Sequence, residues 1–519
     1  MMQIINAITE KPEWYKKVFN EKITAKWRRE VTTGTGSPSL TAEMVDWIFE
    51  ELKHKSVIFQ ETGMISAFDG DVQLRCVLKN AVRPLEEVPE DEKDYHPSSD
   101  NKVVDLVHPS LYPLVYGRTR VLRDTTTNLE DFMKYPGKGE TLQSPAKEEA
   151  KKGLFSCRFQ WLPCDVEFDQ TNNGDCHIVS YINNLCPDKH RSLYGIMQQI
   201  ITRTIPIWNA TLTPLLNNLY MRNNRIDYTF VDCSRGNTSE PTKKRVINSN
   251  GSSEKDDDDD DYYNWLAAWE HSGPVRPPPI KSFRPLITET DGKLDLQAAF
   301  ADKGLQVIVK LANIELTPEK PDYTGGTWHV EGQLNEHICA TAIYYYSNEN
   351  TTTNTLCFRQ RQNHFEWLEP VFGCVDWYSD TQITQDLGSV SCHQGRLLTF
   401  PNILQHCVSP FQLADPTKPG HRKILALFLI DPHIRVNSTA NVPPQRADWY
   451  EEATNFRSGV LGARLPVELQ DVVIENSDDF PISMEEANDF RLKLMEERSV
   501  ASRSQDKLFS VGDFCLCEH

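Results

Sequence analysis

The chain has 519 residues with 55 Lys and Arg against 74 Asp and Glu, a net charge of -19, and is long enough for two or three domains or one elaborated one. With 39% hydrophobic and 10% aromatic residues it has a globular composition, unlike the aromatic-poor one of disordered chains. The acidic balance excludes a general affinity for nucleic acid or anionic membranes, since both need clustered Lys and Arg, and the only notable basic run is Lys243-Lys244-Arg245.

No apolar run reaches the length of about 18 residues expected of a membrane span, and the first residues lack the apolar stretch and small-residue cleavage site of a secretory signal. The expected address is the cytosol, with the nucleus as the open alternative. The 13 cysteines are an odd number with no Cys-x-x-Cys pair, so they read as reduced thiols.

In chain order, Trp14, Val18, Phe19, Ile23 and Trp27 recur at i,i+4 spacing, which predicts an amphipathic helix. A second helix follows the Gly/Ser/Thr-rich break at 33–39, carried by Met44, Ile48 and Leu52 with Val45 and Phe49 beside them. Residues 1–74 are thus a helical region. Residues 75–233 form a mixed supporting region: an irregular stretch with Pro109 and Pro113, then short strands in SCRFQWLPCDVEF and CHIVSYINNL, then a helix near 190–222. A polar insertion over 234–262 ends in the six acids Asp256 to Asp261. Consecutive carboxylates lack the spaced ligands and turning glycine of a calcium loop, so this run reads as a solvated surface.

Residues 263–435 carry repeated apolar runs, LQVIVKLANIEL, HICATAIYYY, TLCFR, RLLTF, HCVSPFQL and KILALFLI, separated by turn residues. Strands at such spacing imply a sandwich, jelly roll or barrel. Residues 436–519 return to helix, with Ser483 and Glu486 at capping-box positions.

The chemistry concentrates in GGTWHVEGQLNEH, where His329 and Glu331 stand two apart at the start of a strand. Residues i and i+2 of a strand share a face, so an imidazole and a carboxylate enter one cavity. The 2-His-1-carboxylate triad of non-haem Fe(II) oxygenases needs one more histidine, and His406 in FPNILQHCVSPF is the candidate. With 14 histidines and 74 acids, chance alone supplies about two His-x-acid triplets. Two occur, and context separates them. Gly325-Gly326 permits close backbone approach before His329, whereas His364 and Glu366 lie in a polar patch.

The runs around His406 and Arg422 flank a turn rich in Pro, Asp and Gly, and are expected to pair as a hairpin with His406 across from Ala426. Arg422 then faces the side of His406, about 13 Å along the strand, where its guanidinium can clamp the far carboxylate of a five-carbon diacid. A pairing of Arg422 with Asp415 is the open alternative. His108 and His421 lack an evident partner and read as structural.

The order His-x-acid, strand, Gly395-Arg396, distal His and Arg resembles the Fe(II)/2-oxoglutarate-dependent dioxygenases. More closely, DLVHPSLYPLVYGRTRV, FQWLPCDV, SYINNL, IVKLANIELTPEKPDYTGGTWHVEGQLNEHICATAIYYY and GRLLTFPNILQHCVSPFQL resemble a fungal domain-of-unknown-function family related to these oxygenases, over most of the chain. The resemblance implies an α+β fold: a double-stranded β-helix core, jelly-roll and cupin-like, wrapped by N- and C-terminal helices. It further implies His329, Glu331 and His406 as Fe(II) ligands and Arg422 as the anchor of 2-oxoglutarate. The dioxygenases usually carry Asp at the acid position; Glu331 is one methylene longer.

In ATAIYYY, small Ala340 and Ala342 suit packing behind the sheet, so Ile343 and Tyr345 are expected to line the pocket, with Asn183 as a polar contributor. The leading expectation is oxidation of an aliphatic C–H of a small molecule, an amino acid or secondary metabolite, with molecular oxygen as the other substrate. A protein-residue hydroxylase or demethylase and a non-catalytic metal-binding module of the same fold stay open, as do the substrate and the oligomeric state.

Overall fold

The computed structural model describes residues 1–33, 40–62, 67–69, 81–145, 155–169, 174–216, 282–285, 292–361, 384–454 and 480–510. The acidic insertion over 234–262, and His364 with Glu366, lie outside these residues.

Four helices open the chain: α1 (Met2–Thr9), α2 (Trp14–Lys17), α3 (Glu21–Thr33) and α4 (Ala42–Thr62). They bury Ile5, Ile8, Trp14, Val18, Trp27, Val45, Ile48, Phe49 and Leu52 against one another. The spacing from Trp14 to Trp27 predicts one helix, but the chain breaks it at Asn20. Its Oδ1 accepts the Ile23 N–H at 3.2 Å and starts a new helix, leaving Phe19 53% exposed.

The strands of three or more residues are β1 (Ala67–Asp69), β2 (Val103–Val107), β3 (Cys164–Phe168), β4 (Cys176–Ile178), β5 (Leu305–Leu316), β6 (Ile338–Glu349), β7 (Thr355–Arg361), β8 (Thr384–Ser391), β9 (Arg396–Pro401), β10 (Gln405–Val408) and β11 (Gly420–Ile430). Eight of them form one sheet in the order β1-β9-β6-β11-β5-β3-β4, with β2 also on β5, and a second sheet runs β8-β7-β10. Every pairing in both is antiparallel. The molecule is thus a mixed α/β protein built on antiparallel sheets.

Alternation along the strands gives the large sheet two buried faces. The outer face, with Val307, Val309, Ala340, Ala342, Tyr344 and Leu427, packs on helix α5 (Pro187–Leu212) through Leu193, Met197, Ile201 and Trp208. The inner face, with Ile308, Ile343, Tyr345, Phe400, Ala426 and Phe428, packs on Leu356, Phe358, Leu387 and Val390 of the second sheet.

Three local expectations change. VVDLV in the stretch expected to be irregular is strand β2, ending before Pro109. The stretch SYINNL is not a strand: Ile182 and Leu185 form only an isolated bridge and Asn184 has φ 69°. The runs flanking residue 416 do not form a hairpin. β10 pairs with β7, setting His406 opposite Phe358, while β11 is held between β5 and β6, with Ala426 opposite Lys310 and Ile343. A strand buried on both faces and paired on both edges has no edge left for β10.

After the short helices α6 (Leu296–Ala299) and α7 (Ala447–Thr454), helix α8 (Met484–Ser510) closes the described chain. Half of its predicted capping box forms: Ser483 Oγ accepts from Glu486 N at 3.1 Å, but the Glu486 carboxylate pairs with Arg118 at 2.6 Å. No described helix is long and apolar enough to cross a membrane. Every described cysteine is free.

Helix α8 straps the loop that precedes β6. Arg498 pairs with the fully buried Glu336 and lies 3.5 Å from the Trp161 ring centroid. Glu336 also accepts the Trp161 N–H at 2.7 Å, and Arg359 of β7 pairs with Asp506. Removing one partner of a buried pair leaves an uncompensated charge. Arg498→Met is therefore expected to cost about 3–5 kcal/mol in urea unfolding, whereas a loss under 1 kcal/mol contradicts a role for the pair in holding this loop.

Candidate metal centre

Two chain segments meet at the edge of the second sheet. Residues 326–329 run antiparallel to β10, with Gly326 N donating to Val408 O at 3.0 Å, His329 N to His406 O at 3.2 Å and His406 N to His329 O at 2.9 Å. This ladder sets the two histidines directly opposite each other, their ring centroids 4.4 Å apart. Gly325 enters it with φ 93°, and a Cβ there would lie 2.9 Å from Val408 O. The residue must be glycine for the segment to lie this close.

Glu331 enters from the same side two residues on. Asn402, after β9, fixes its backbone: Glu331 N donates to Asn402 Oδ1 at 2.9 Å, and Asn402 Nδ2 donates to Glu331 O at 2.9 Å and to Ile338 O at 3.0 Å. Glu331 Oε1 then stands 3.3 Å from His406 Nε2 and 3.8 Å from His329 Nε2. One donor atom from each residue lies within 4.8 Å of the others. Ligands about 2.1 Å from one ion and at right angles stand about 3 Å apart, so the spread is close to that of a bound metal.

The protonation states suit a metal. His329 Nδ1 donates to Thr327 O at 2.7 Å, which leaves Nε2 with its lone pair free. His406 donates from Nε2 to Glu331 Oε1 at 3.3 Å, and its Nδ1 is buried without a partner among the described residues, so the proton can move to Nδ1 and give Nε2 to a metal. Burial pushes the Glu331 carboxyl up, but the hydrogen bond from His406 and the charges of both histidines outweigh it and hold it at about 2. Burial and the neighbouring His406 hold His329 below its ordinary value. A carboxylate with a neutral imidazole beside it is a donor set for a divalent transition metal. The His406 side chain is 4% exposed and Glu331 14%, but His329 is 36% exposed, so one flank stays open to incoming molecules.

A second cluster, His96, Asp105 and His108, is as tight, and gives His108 the partners that sequence reasoning missed. Its bonding is of another kind. His108 Nδ1 accepts the Ser110 N–H at 3.1 Å, so the neutral ring carries its proton on Nε2 and has no lone pair left for a metal. Asp105 Oδ2 already takes His96 Nδ1 at 2.7 Å and the Arg491 guanidinium. This cluster ties helix α8 to β2 and is not a ligand set.

Arg422 lies on β11 opposite Asn348 and Ile314 and is 2% exposed. Its Nη2 reaches Tyr345 Oη at 3.4 Å and Cys392 Sγ at 3.8 Å, the guanidinium lies 5.0 Å from the Tyr345 ring centroid, and Nε has no partner among the described residues. Asp415 is not its partner but pairs with Lys418 at 2.8 Å. A buried guanidinium without a carboxylate is costly unless an anion joins it.

Ile343 and Tyr345 point to the inner face, shared with Phe400 and Phe358, and both of those rings pack on His406. Asn183 is spent elsewhere. Its Nδ2 donates to Leu111 O at 3.2 Å and Tyr112 O at 3.1 Å, bracing the loop after β2, so its amide nitrogen is not free for a ligand. His421 Nε2 lies 2.8 Å from Ser347 Oγ and stays structural. Sequence reasoning passed over Asn402, whose readable signal is an Asn in the turn four residues before the distal histidine.

Residues 42–453 match the family described as "Protein of unknown function (DUF4246)", and residues 1–30 match its N-terminal domain. The chain belongs to this family. No curated protein matches it. Among solved structures, IDO from Bacillus thuringiensis is 12% identical over 25% of this chain and 46% of its own, with a TM-score of 0.17. The Fe(II)/(alpha)ketoglutarate-dependent dioxygenase TqaL is 13% identical over 30% and 51%, also at 0.17. An oxalate decarboxylase from Lactobacillus farciminis is 12% identical over 36% and 39%, at 0.12. The matched stretch spans about half or less of each of these chains, and the overlaps are shallow, so the site rests on its own geometry.

Asn402 touches the backbone of Glu331 and no candidate donor atom. Asn402→Ala is expected to weaken Fe(II) or Co(II) binding about 10- to 100-fold, the effect of losing a group that orients a ligand, as measured by competition with a metal-binding dye. Unchanged affinity contradicts its role as the clamp.

Proposed function

We propose that the protein is an Fe(II)- and 2-oxoglutarate-dependent oxygenase that oxidises an aliphatic C–H of a small molecule. The observation that carries this reading is the His329–Glu331–His406 donor set, held by a backbone ladder that frees His329 Nε2, together with a buried guanidinium at Arg422 that has no carboxylate among the described residues. The sheets are read as a double-stranded β-helix. In its support, first-to-last neighbours β5 and β11 are followed by β6 and β9 in one sheet, while the His329 segment, β10, β7 and β8 follow one another in the other.

When bound, Fe(II) with 2-oxoglutarate supplies oxygen activation and C–H oxidation. The chain's own residues supply the rest. His329, Glu331 and His406 hold the ion and leave three positions open. Arg422 pairs with the distal carboxylate of the co-substrate, with Tyr345 fixing the guanidinium. Phe358, Phe400 and Ile343 keep the centre apolar and exclude water from the reacting carbon. The centre lies at the end of an apolar interface between two packed sheets, which favours a small molecule over a protein chain.

Anaerobic titration of Fe(II) and 2-oxoglutarate is expected to give a weak visible charge-transfer band. Glu331→Ala should abolish it, and Arg422→Met should keep the metal but weaken 2-oxoglutarate about 10- to 100-fold, the worth of a charged hydrogen-bonded pair. Metal binding with no response to 2-oxoglutarate would sink the oxygenase reading in favour of a non-catalytic metal-binding module.

A further inference from the structure

An open cleft of about 640 Å³ is lined by residues 122–126 and by the chain that follows β11, residues 435–441. Backbone bonds hold the two segments together. Leu122 N donates to Asn441 O at 2.8 Å and Thr127 N to Ala440 O at 2.7 Å, so residues 123–126 arch between two anchors and stay exposed. At Val436 the chain is fastened to the start of β5. Gln306 Oε1 accepts Val436 N at 3.0 Å, and Gln306 Nε2 donates to Val436 O at 3.1 Å and Asp165 Oδ1 at 3.0 Å. The cleft thus reaches the large sheet at β3 and β5, whereas Asn402 and Glu331 stand by β6 and β9. Strand β11 separates β5 from β6, which puts about 10 Å of sheet between the cleft and the candidate metal centre.

Two buried side chains on the lining have hydrogen-bonding capacity left over. Gln160 is 3% exposed, and its Nε2 donates to Trp161 O at 3.2 Å and to Asn437 O at 2.7 Å. Both acceptors are carbonyls, so the amide cannot be turned round, and Oε1 is the end that remains. It has no partner among the described residues. Ser438, also 3% exposed, accepts Ala440 N at 3.2 Å, while its O–H donates to no described residue. Gln160 bonds to the residue next to Ser438, so a spare acceptor and a spare donor stand near each other. At the rim, Thr125 and Thr126 add two hydroxyls and Asp124 a carboxylate, all without a partner among the described residues. Groups of this kind bind water until a ligand with the same pattern of donors and acceptors displaces it.

The charges on the lining narrow the ligand class. Arg435 pairs with Asp165 and Arg123 with Glu140, so no cation is left over for an anion, and Asp124 is the one acid left without a described partner. The lining has no aromatic ring, and its apolar side chains are Leu122, Val436 and Ala440. A nucleobase or a long aliphatic chain therefore finds no surface to pack on. A neutral molecule whose groups both donate and accept fits instead. A hydroxyl does both, and two adjacent hydroxyls match the paired oxygens of a carboxylate.

We propose that this cleft is a binding site for a neutral polyhydroxylated small molecule, a sugar or polyol, held by Gln160 Oε1 and Ser438 Oγ inside and by Asp124, Thr125 and Thr126 at the rim. The site stands apart from the candidate metal centre and does not depend on the oxygenase reading.

The test is isothermal titration of the full chain with D-glucose, D-mannitol and myo-inositol, beside D-gluconate and D-glucosamine as charged counterparts. At least one neutral compound is expected to saturate with a Kd at or below about 1 mM, the reach of four or five hydrogen bonds worth about 1 kcal/mol each. It should bind about tenfold or more tightly than either charged compound, since neither charge has a partner to meet. Thr126→Trp, at an exposed rim position, fills the cleft and should abolish the titration without moving the thermal midpoint. Ser438→Ala, which removes the buried donor, and the double variant Asp124→Ala/Thr125→Val should each weaken binding about fivefold or more. No saturable binding of a neutral compound, equal or tighter binding of D-gluconate or D-glucosamine, or unchanged binding in Thr126→Trp overturns the proposal. Should Thr126→Trp lower the midpoint, the double variant decides: unchanged affinity there overturns the site.

Discussion

The candidate centre depends on two backbone hydrogen bonds, His329 N to His406 O and His406 N to His329 O. They join segments 77 positions apart in the sequence and fix both imidazoles on one face before any metal arrives. Everything around them protects that bridge. Gly325 lets the strand approach, Asn402 sets where Glu331 leaves it, and Thr327 O decides which nitrogen of His329 stays basic. Helix α8 holds the following loop from behind through Arg498 and Glu336. Pre-organisation of this kind means that little conformational entropy remains to be lost when a ligand binds.

Charge placement on the inner sheet face follows from the same constraint. An apolar face between two sheets is a poor solvent for ions, so each charge there needs a partner. Asp105 meets Arg491 and His96, and Glu336 meets Arg498. Arg422 meets no acid among the described residues. Arg422, on β11, is the buried cation of this face without such a partner. The contrast between the two His/Asp/Glu clusters is also one of bonding, not of shape: the direction of a single hydrogen bond at His108 Nδ1 removes it from the ligand set, and the opposite direction at His329 Nδ1 admits that residue.

Much of this was legible in the sequence where a residue's role follows from local spacing. The helices around Ile48 and Leu52, the strands of ATAIYYY and KILALFLI, and the glycines before His329 each follow from periodicity or backbone freedom. The inward parity of Ile343 and Tyr345 followed from the small residues Ala340 and Ala342 that pack on α5. Pairing between distant strands was not legible. A turn rich in Pro, Asp and Gly suggested a hairpin between β10 and β11, yet the link between them crosses from one sheet to the other, with Phe411–Gln412 pairing to Asp322–Tyr323 on the way. Which edges are already occupied is a property of the whole sheet. The partners of His108 and the commitment of Asn183 to the carbonyls of Leu111 and Tyr112 were hidden for the same reason.

The central claim is that the metal sits among His329, Glu331 and His406, and the most direct measurement is anomalous diffraction at the iron edge from crystals grown anaerobically with Fe(II). The expected result is one strong peak within coordination distance of His329 Nε2, Glu331 and His406. A peak at His96, Asp105 and His108, or well-ordered triad side chains with no peak beside them at saturating Fe(II), would contradict it.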